Sequence, residues 1–302
     1  MVLDVHRLRL LSELAQRGTL AAVAKALSYS PSAVSQQLSQ LEVEAGVPLL
    51  ERVGRGVRLT AQGHVLVEHA DAVLQRLEVA QADLAASVSE VRGTVRVAAF
   101  SSALLRLVPP AVTSSTSQHP HLRLSFVHLQ PEESSAALLA HDVDLVLGEE
   151  YPGLPLARQP GVHEEQLGHD ELRLAAPAGS APGHDPLVAL TDTPWAMDPA
   201  DSASGRWQRG LCRSAGFEPD VRYETPDPLM QANLVRSGHA AALVPDLLAT
   251  GQDLGVRLLP LPGHPTRRLY TGTRVGAAAH PAVRAARESL NHALRTAQPP
   301  AG

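Results

Sequence analysis

The sequence predicts an α+β chain with three parts: a small helical N-terminal domain with a two-stranded wing, a long helix, and a C-terminal α/β domain of two lobes. Apolar residues recur at helical spacing through residues 4–45, and a heptad-like seam follows in residues 61–89. Strand-like and helix-like runs then alternate from Arg92 onward. The chain has 302 residues, about twice the length of a usual domain, so more than one domain is expected.

Composition narrows the class of protein. Hydrophobic residues make up 44% of the chain and charged residues 19%, which is typical of a folded globular protein and argues against disorder. No apolar run is long enough to cross a bilayer, and charged residues interrupt any signal-peptide core at the N-terminus. Cys212 is the single cysteine, so an intramolecular disulfide is excluded. We therefore expect a cytoplasmic protein without a membrane partner.

The sequence lacks the characteristic residues of several enzyme classes. Lys25 is the sole lysine, and no glycine-rich loop precedes it, which excludes a phosphate-binding P-loop. The serine-hydrolase pattern G-x-S-x-G does not occur. The fourteen histidines lack the spacing of a zinc site, as His119 and His121 illustrate. We expect no enzyme activity, no metal and no cofactor. Aromatic residues at 3% are too few for the stacking platforms that bind single-stranded nucleic acid.

The N-terminal domain is punctuated by helix-capping residues. A first helix over residues 4–17 ends at Gly18, and Thr19 caps a short second helix over residues 20–27. Ser30 and Pro31 then give a strong start signal for a third helix that runs to residue 45. Two short strands around a glycine-rich turn follow in residues 49–59.

The second and third helices, joined by a tight turn, match a helix-turn-helix whose second helix reads the major groove. The outward face of that helix carries uncharged hydrogen-bonding groups, and glutamine and serine are suited to base edges and phosphates. From residue types alone, a three-helix bundle with a polar face remains the alternative. The net charge of the whole chain is −5, but a DNA footprint is local. The candidate DNA-binding residues are Lys25, Ser30, Ser32, Ser35, Gln36, Ser39, Gln40, Arg52 and Arg55.

The long helix over residues 61–89 carries a seam of apolar residues that steps by four and three. Such a seam over about three heptads indicates pairing with a second copy of the chain. The alternative is a surface helix that packs on its own domain. The candidate dimerisation residues are Leu66, Ala70, Val73, Leu77, Ala80 and Leu84.

The remaining chain alternates strands and helices, which predicts an α/β domain with a largely parallel sheet. Proline- and glycine-rich stretches at residues 151–161 and 251–263 predict two crossings between lobes. The predicted parts are therefore residues 1–60, 61–91 and 92–302. Within the last part, lobe I takes about residues 92–160 and 264–302, and lobe II about residues 161–263.

Polar residues follow several of these strands. In a two-lobed α/β domain, ligands bind in the cleft outside the carboxyl ends of the strands. The acidic pair Glu149 and Glu150 favours a ligand with a cationic or hydroxyl group, although a solvated loop is the alternative. For several of the candidates, capping of a helix is the competing interpretation. The candidate effector-binding residues are Ser101, Ser102, Gln130, Glu149, Asp198, Ser202 and Thr225.

Four motifs of the first 63 residues form an ordered block: residues 18–24 (GTLAAVA), 30–38 (SPSAVSQQL), 46–52 (GVPLLER) and 56–63 (GVRLTAQG). The block resembles that of LysR-type transcriptional regulators. The resemblance implies a winged helix-turn-helix, a linker helix and a two-lobed effector domain similar to periplasmic binding proteins. Many relatives have glutamine where Pro31 stands and arginine where Gln36 or Ser39 stands, so their glutamine–base contact is not carried over.

The resemblance implies a sequence-specific transcriptional regulator that senses a small-molecule effector. Its expected partners are double-stranded DNA with two half-sites, the effector, and further copies of the chain in a homodimer or homotetramer. RNA polymerase is a further candidate partner. The alternatives are a solute-binding protein or small-substrate enzyme on the same two-lobed fold, and a constitutive repressor whose C-terminal domain is blind to ligands.

Overall fold

Three helices and a β-hairpin form the N-terminal domain. The computed structural model describes residues 2–54, 56–88, 90–177, 185–249 and 253–297. Within this part of the chain, the N-terminal elements are α1 (Val5–Arg17), α2 (Leu20–Leu27), α3 (Pro31–Ala45), β1 (Leu50–Val53) and β2 (Gly56–Leu59). Strands β1 and β2 pair antiparallel and make the predicted wing.

Local capping chemistry sets the bounds of these helices. The side chain of Thr19 accepts a hydrogen bond from the amide of Ala22 at the start of α2, and Ser30 accepts from Ala33 at the start of α3. Ser28, at φ 58°, adopts the left-handed conformation that turns the chain from α2 toward α3. The predicted start and end of both helices are confirmed.

A long helix, α4 (Ala61–Ala86), follows the wing. Thr60 caps it by accepting from the amide of Gly63 at 3.0 Å. The helix ends three residues before the predicted residue 89, and the hydroxyl of Ser87 donates to the carbonyl of Leu84 at 2.7 Å just beyond its end. Gly63 lies so close to the carbonyl of Leu49 that a Cβ would be 2.3 Å from that oxygen, so this glycine lets the helix approach the wing.

The C-terminal domain has two lobes that share one twisted sheet. Lobe I contains β3 (Gly93–Ala99), α5 (Ser101–Arg106), α6 (Val108–Gln118), β4 (Leu122–His128), α7 (Pro131–Leu139), β5 (Leu145–Glu150) and α11 (Pro281–Ala297). Lobe II contains β7 (Trp195–Met197), α8 (Ala203–Ser214), β8 (Val221–Glu224), α9 (Pro228–Arg236), β9 (Ala241–Pro245), α10 (Asp246–Ala249) and β10 (Arg257–Pro260). Strands β6 (Val162–Ala176) and β11 (Thr266–Arg274) connect the lobes.

The sheet is mixed, which corrects the prediction of a largely parallel one. Its strand order is β4-β3-β5-β11-β6-β9-β7-β8, with β10 paired to β6. The outer strands of each lobe are parallel to their neighbours. Strands β6 and β11 are antiparallel to theirs, because a chain that crosses to the second lobe and returns must run in both directions.

The structure places the first crossing later than residues 151–161. Residues 162–171 still pair with β11 beside lobe I, and pairing with the lobe II strand β9 begins at Leu172. The side chain of Leu172 also belongs to the apolar core of lobe II. One continuous strand thus makes the crossing, and the proline- and glycine-rich loop precedes it.

Contacts join lobe I to the long helix α4. The guanidinium of Arg274, at the end of β11, donates to Glu78 of α4 at 2.6 Å and to the carbonyls of Leu138 and Val143 at 2.9 and 2.7 Å. Gly276 packs so closely that a Cβ would lie 2.6 Å from the carbonyl of Gln75. One face of α4 is therefore covered by lobe I of its own chain.

None of the helices in the described ranges is long and apolar enough to span a bilayer.

Cys212 is buried in the lobe II core, and this burial raises the pKa of its thiol to about 12. A thiol that stays protonated is a poor nucleophile.

Candidate functional site

The outward face of α3 is a continuous polar surface. The inward side chains Val34, Leu38 and Leu41 are buried in the core of the N-terminal domain. The opposite side carries five of the predicted DNA-binding residues, all exposed: Ser32, Ser35, Gln36, Ser39 and Gln40. Their hydroxyl and amide groups have the donor and acceptor chemistry that reads base edges in a major groove.

Adjacent glutamines on α3 have different surroundings. The side-chain carbonyl of Gln37 accepts a hydrogen bond from Nε of Arg7 at 2.9 Å, and Arg7 also pairs with Glu44. Gln37 is therefore held inside its own domain, whereas Gln36 is exposed. The two residues form a natural pair for comparing a base-reading role with a structural one.

The remaining predicted DNA-binding residues lie on other elements or at the start of α3. Lys25 and Arg52 are exposed. Ser30 has a structural role as the cap of α3, since its hydroxyl accepts from the amide of Ala33 at 3.1 Å and lies 2.9 Å from the hydroxyl of Ser32. Arg55 lies outside the described residues.

The seam on α4 divides into two parts. Ala70 is fully buried in the core of the N-terminal domain, where Leu66 is partly buried. Ala70 is thus covered by its own chain, which corrects its assignment to a surface between two chains. The remaining seam residues are exposed, at 41% for Val73, 43% for Leu77 and 70% for Leu84, and Ala80 between them is exposed as well.

A small cavity lies between lobes I and II. Six of the seven predicted effector-binding residues line it: Ser101, Ser102, Gln130, Glu149, Asp198 and Ser202. The aromatic side chains of Phe100, Tyr151 and Trp207 complete much of its wall. Thr225 is not among the lining residues, and its hydroxyl accepts from the amide of Asp227 at 3.2 Å. Thr225 thus makes a local turn contact, and the residue that caps α9 is Asp227.

Arg267 is a charged residue of this cleft that sequence reasoning missed. It is buried on β11, and its guanidinium donates to Asp170 at 2.6 Å and to the hydroxyl of Ser102 at 2.8 Å. It also forms an ion pair with Glu149. Nothing local in the sequence marks Arg267, because its partners lie on β5, β6 and α5 and meet it only through the register of the sheet.

The cluster is electrostatically coupled. Burial raises the pKa of the Glu149 carboxyl, and Arg267 opposes that rise. Burial likewise raises the pKa of Asp170 against the opposing effect of Arg267. Burial alone would lower the pKa of Arg267, but the two carboxylates raise it above its usual range.

The predicted role of the acidic pair is corrected by these contacts. Glu149 pairs with Arg267, and Glu150 pairs with Arg268 at 2.6 Å. Both carboxylates are therefore engaged in ion pairs of the C-terminal domain, and each shares its arginine with a second carboxylate, Asp170 or Glu164.

Asp198 is an acidic residue of the cleft whose carboxylate accepts hydrogen bonds from side-chain amides. Its Oδ2 accepts from the side-chain amides of Gln208 at 2.7 Å and Gln231 at 3.4 Å. Burial raises the pKa of its carboxyl, and hydrogen bonds from Gln231, Ser204 and Gln208 oppose the rise. Such a carboxylate can accept a further hydrogen bond from an ammonium or hydroxyl group.

The cavity has a volume of about 50 Å³. Usual small-molecule pockets have volumes of about 300–1,000 Å³. The lobes as described are therefore closed on each other, and a ligand larger than a few atoms requires them to separate.

Comparison with known proteins assigns both domains. Residues 5–64 match the family described as bacterial regulatory helix-turn-helix protein, lysR family, and residues 89–295 match the LysR substrate binding domain. The chain is 30% identical over 266 residues to the HTH-type transcriptional regulator TdfR of Cupriavidus pinatubonensis, which covers 86% of this chain and 88% of that protein.

Solved structures have the same architecture. A full-length OxyR variant from Pseudomonas aeruginosa matches with a TM-score of 0.69 at 19% identity, over 100% of this chain and 99% of that one. Full-length CbnR, solved in complex with its target DNA, matches with a TM-score of 0.52 at 25% identity, over 95% of this chain and 100% of that one.

The predicted fold class is thus confirmed, with a helix-turn-helix domain at the N-terminus and an α/β substrate-binding domain at the C-terminus. The alternatives of a solute-binding protein and of an enzyme on the same fold do not account for the N-terminal match. The chain belongs to the LysR family of transcriptional regulators, as a DNA-binding regulator with a C-terminal effector-binding domain and not an enzyme.

Proposed function

We propose that this regulator binds an operator of two half-sites as a homodimer, reads it with α3, and responds to a small polar effector between lobes I and II. The exposed polar face of α3 carries the DNA-binding part of the proposal. In this scheme residues 1–60 bind DNA, residues 61–91 pair two chains and residues 92–302 hold the effector. The regulator acts in the cytoplasm, where its DNA is.

The exposed part of the α4 seam supports pairing of two chains. Large apolar side chains at Val73, Leu77 and Leu84 are exposed, and they recur at the spacing of a coiled-coil interface. The opposite side of the helix is already covered by Arg274 and Gly276 of lobe I. Two paired chains present two α3 helices, as a two-half-site operator requires. Further pairing through effector domains gives the proposed tetramer, which then contacts RNA polymerase.

Gln36→Ala is expected to weaken specific operator binding by about 10-fold or more, because one lost base contact costs about 1–3 kcal/mol. Affinity for unrelated DNA should stay unchanged, since a neutral amide adds nothing to the phosphate term. Fluorescence anisotropy with operator and scrambled duplexes at fixed salt measures both.

Gln37→Ala is the matched control, because its side chain contacts Arg7 within the domain. A large loss with Gln37→Ala and none with Gln36→Ala would contradict the assignment of the exposed face of α3 to base reading.

The cleft chemistry supports an effector with a hydrogen-bond donor. Glu149 and Asp170 are already paired with Arg267, whereas the side-chain partners of Asp198 are uncharged. An ammonium or hydroxyl group beside Asp198 would therefore add a charge-assisted hydrogen bond. A chain that responds to no ligand, as a constitutive repressor, is the competing outcome.

Asp198→Asn is expected to abolish stabilisation of the protein by its effector and to leave operator affinity without effector unchanged. Wild type should be stabilised by about 2.7 kcal/mol at a ligand concentration of 100 Kd. A thermal-shift panel of small amines, polyols and carboxylic acids identifies the class of ligand in wild type and tests the variant.

Thr225→Ala is the control, because this residue is not among those that line the cavity. Equal stabilisation of wild type and Asp198→Asn by the same compound would remove Asp198 from the site. A wild type stabilised by no compound of the panel would favour the ligand-blind repressor.

Strand β11 is the physical connection between cleft and DNA in this scheme. Arg267 near its start lies in the cleft, and Arg274 at its end contacts Glu78 of α4 at 2.6 Å. A strand is stiff along its length, so a shift at the cleft end moves the contact with the long helix. That connection supports effector control of the spacing between paired DNA-binding domains.

A further inference from the structure

At the rim of the cleft, a hydrogen bond joins a side chain of lobe I to the backbone of lobe II. Oε1 of Glu132, at the start of α7 in lobe I, accepts from the amide of Ala203 at the start of α8 in lobe II, at 2.9 Å. The two residues are 71 positions apart in the chain and belong to opposite lobes. This contact therefore exists only while the lobes are closed.

The local sequence leaves Glu132 available for this contact. The next residue, Glu133, is used in the capping box of α7, where its side chain accepts from the amide of Gln130 at 3.3 Å. Glu132 itself is exposed at the rim of the cavity that it lines. The two neighbouring carboxylates thus make different contacts: Glu133 accepts a hydrogen bond at the start of its own helix, and Glu132 accepts one across the cleft.

Helix α8 supplies a matching donor. The amide of Ala203 is the first of the helix and has no intrahelical acceptor. Ser202 caps the helix by accepting from the amide of Gly205 at 3.0 Å, so Ala203 depends on another group. A carboxylate at this end of a twelve-residue helix is also favoured by the helix dipole.

We propose that Glu132 is a latch that holds lobes I and II closed and must release Ala203 before an effector can enter. The inference rests on the proposed role of the cleft as the effector site. It follows from the position of the bond at the cavity mouth and from the closed volume of about 50 Å³, which requires opening for any larger ligand. Loss of the latch should shift the population toward open lobes without any ligand.

Glu132→Ala tests the latch in the full-length protein, with two measurements and no effector. Hydrogen exchange at the amide of Ala203 should become about 10- to 150-fold faster, which is the range expected for one lost hydrogen bond to a charged acceptor. Acrylamide quenching of tryptophan fluorescence should also increase. Trp207 lines the cavity and is 8% exposed, whereas the second tryptophan, Trp195, is fully buried in lobe II.

Glu133→Ala is the matched control, because it removes a carboxylate from the same turn of α7 without touching Ala203. It should leave exchange at Ala203 and quenching unchanged. Glu132→Gln keeps an acceptor oxygen without the charge and should fall between wild type and Glu132→Ala. Far-UV circular dichroism checks that each variant is folded.

Two outcomes would overturn the latch. Unchanged exchange at Ala203 in Glu132→Ala means that the bond does not protect this amide in solution. Faster exchange with unchanged quenching means that the bond is local and does not hold the lobes together. Neither readout needs an effector, so the latch can fail while the effector site tested by Asp198→Asn stands, and the reverse.

Discussion

Arg267→Met is expected to lower the free energy of unfolding of the effector-binding domain by about 3–5 kcal/mol at neutral pH. The guanidinium is 3% exposed and pairs with Glu149 and Asp170, which are themselves buried. Methionine fills part of the volume but leaves both buried carboxylates without a cation. Urea unfolding followed by tryptophan fluorescence measures the loss.

The pH dependence of this variant has a defined sign. Removing Arg267 removes the interaction that opposes the raised pKa of both carboxyls, so those pKa values rise further in the folded state. The folded variant then binds more protons than the unfolded chain at any pH between the unfolded and folded pKa values. Stability in that window falls as pH rises. The difference between wild type and Arg267→Met should therefore shrink as pH is lowered toward the unfolded pKa of about 4.

Arg268→Ala is the control, one residue away on the same strand. Its guanidinium is 29% exposed and pairs with Glu150 and Glu164. Partly solvated ion pairs contribute about 0–1 kcal/mol, so we expect a loss in that range. Equal losses in the two variants would mean that burial of the Arg267 cluster has no special energetic consequence.

The elements that sequence reasoning predicted well are those with local signals. Thr19 and Ser30 cap their own helices within three residues, so the start of α2 and α3 can be located without knowledge of the fold. The wing strands β1 and β2 likewise flank their own turn. Helix α6 was not predicted, because its Ser- and Thr-rich sequence has little apolar periodicity, and the three-residue strand β7 is too short to show an alternation.

The cleft shows the same division between local and distant information. The rule that ligands bind at the ends of strands placed Ser102, Glu149 and Asp198 at one cavity, although they lie far apart in the chain. The rule does not predict which charged groups of the cleft form ion pairs. Arg267 neutralises Glu149 through strand pairing between β5 and β11, and such pairing depends on the register of the whole sheet. Glu132 was missed for the same reason, since Ala203 belongs to the other lobe.

The long helix could be predicted as a seam but not divided into its two parts. Leu66 and Ala70 belong to the same stepping by four and three as Leu77 and Leu84, yet the first two pack on the N-terminal domain and the last two are exposed. Which part of a heptad pattern faces its own chain depends on how the neighbouring domain is folded. An exposed apolar strip beside a covered face is typical of a helix that pairs with a second copy.

Leu77→Glu is expected to dissociate the proposed dimer and to reduce affinity for a two-half-site operator by about 100-fold or more, because two linked half-site contacts become one. Leu77 is 43% exposed in the single chain, so glutamate costs little in the monomer, but between two helices it would be an unpaired buried charge. Sedimentation velocity measures the mass, and circular dichroism should show an intact fold.

Ala72→Glu is the control: it places the same charge about 140° round the helix at another exposed position and should leave mass and affinity unchanged. A Leu77→Glu protein that still sediments with the wild-type mass would show that chains do not pair through this strip.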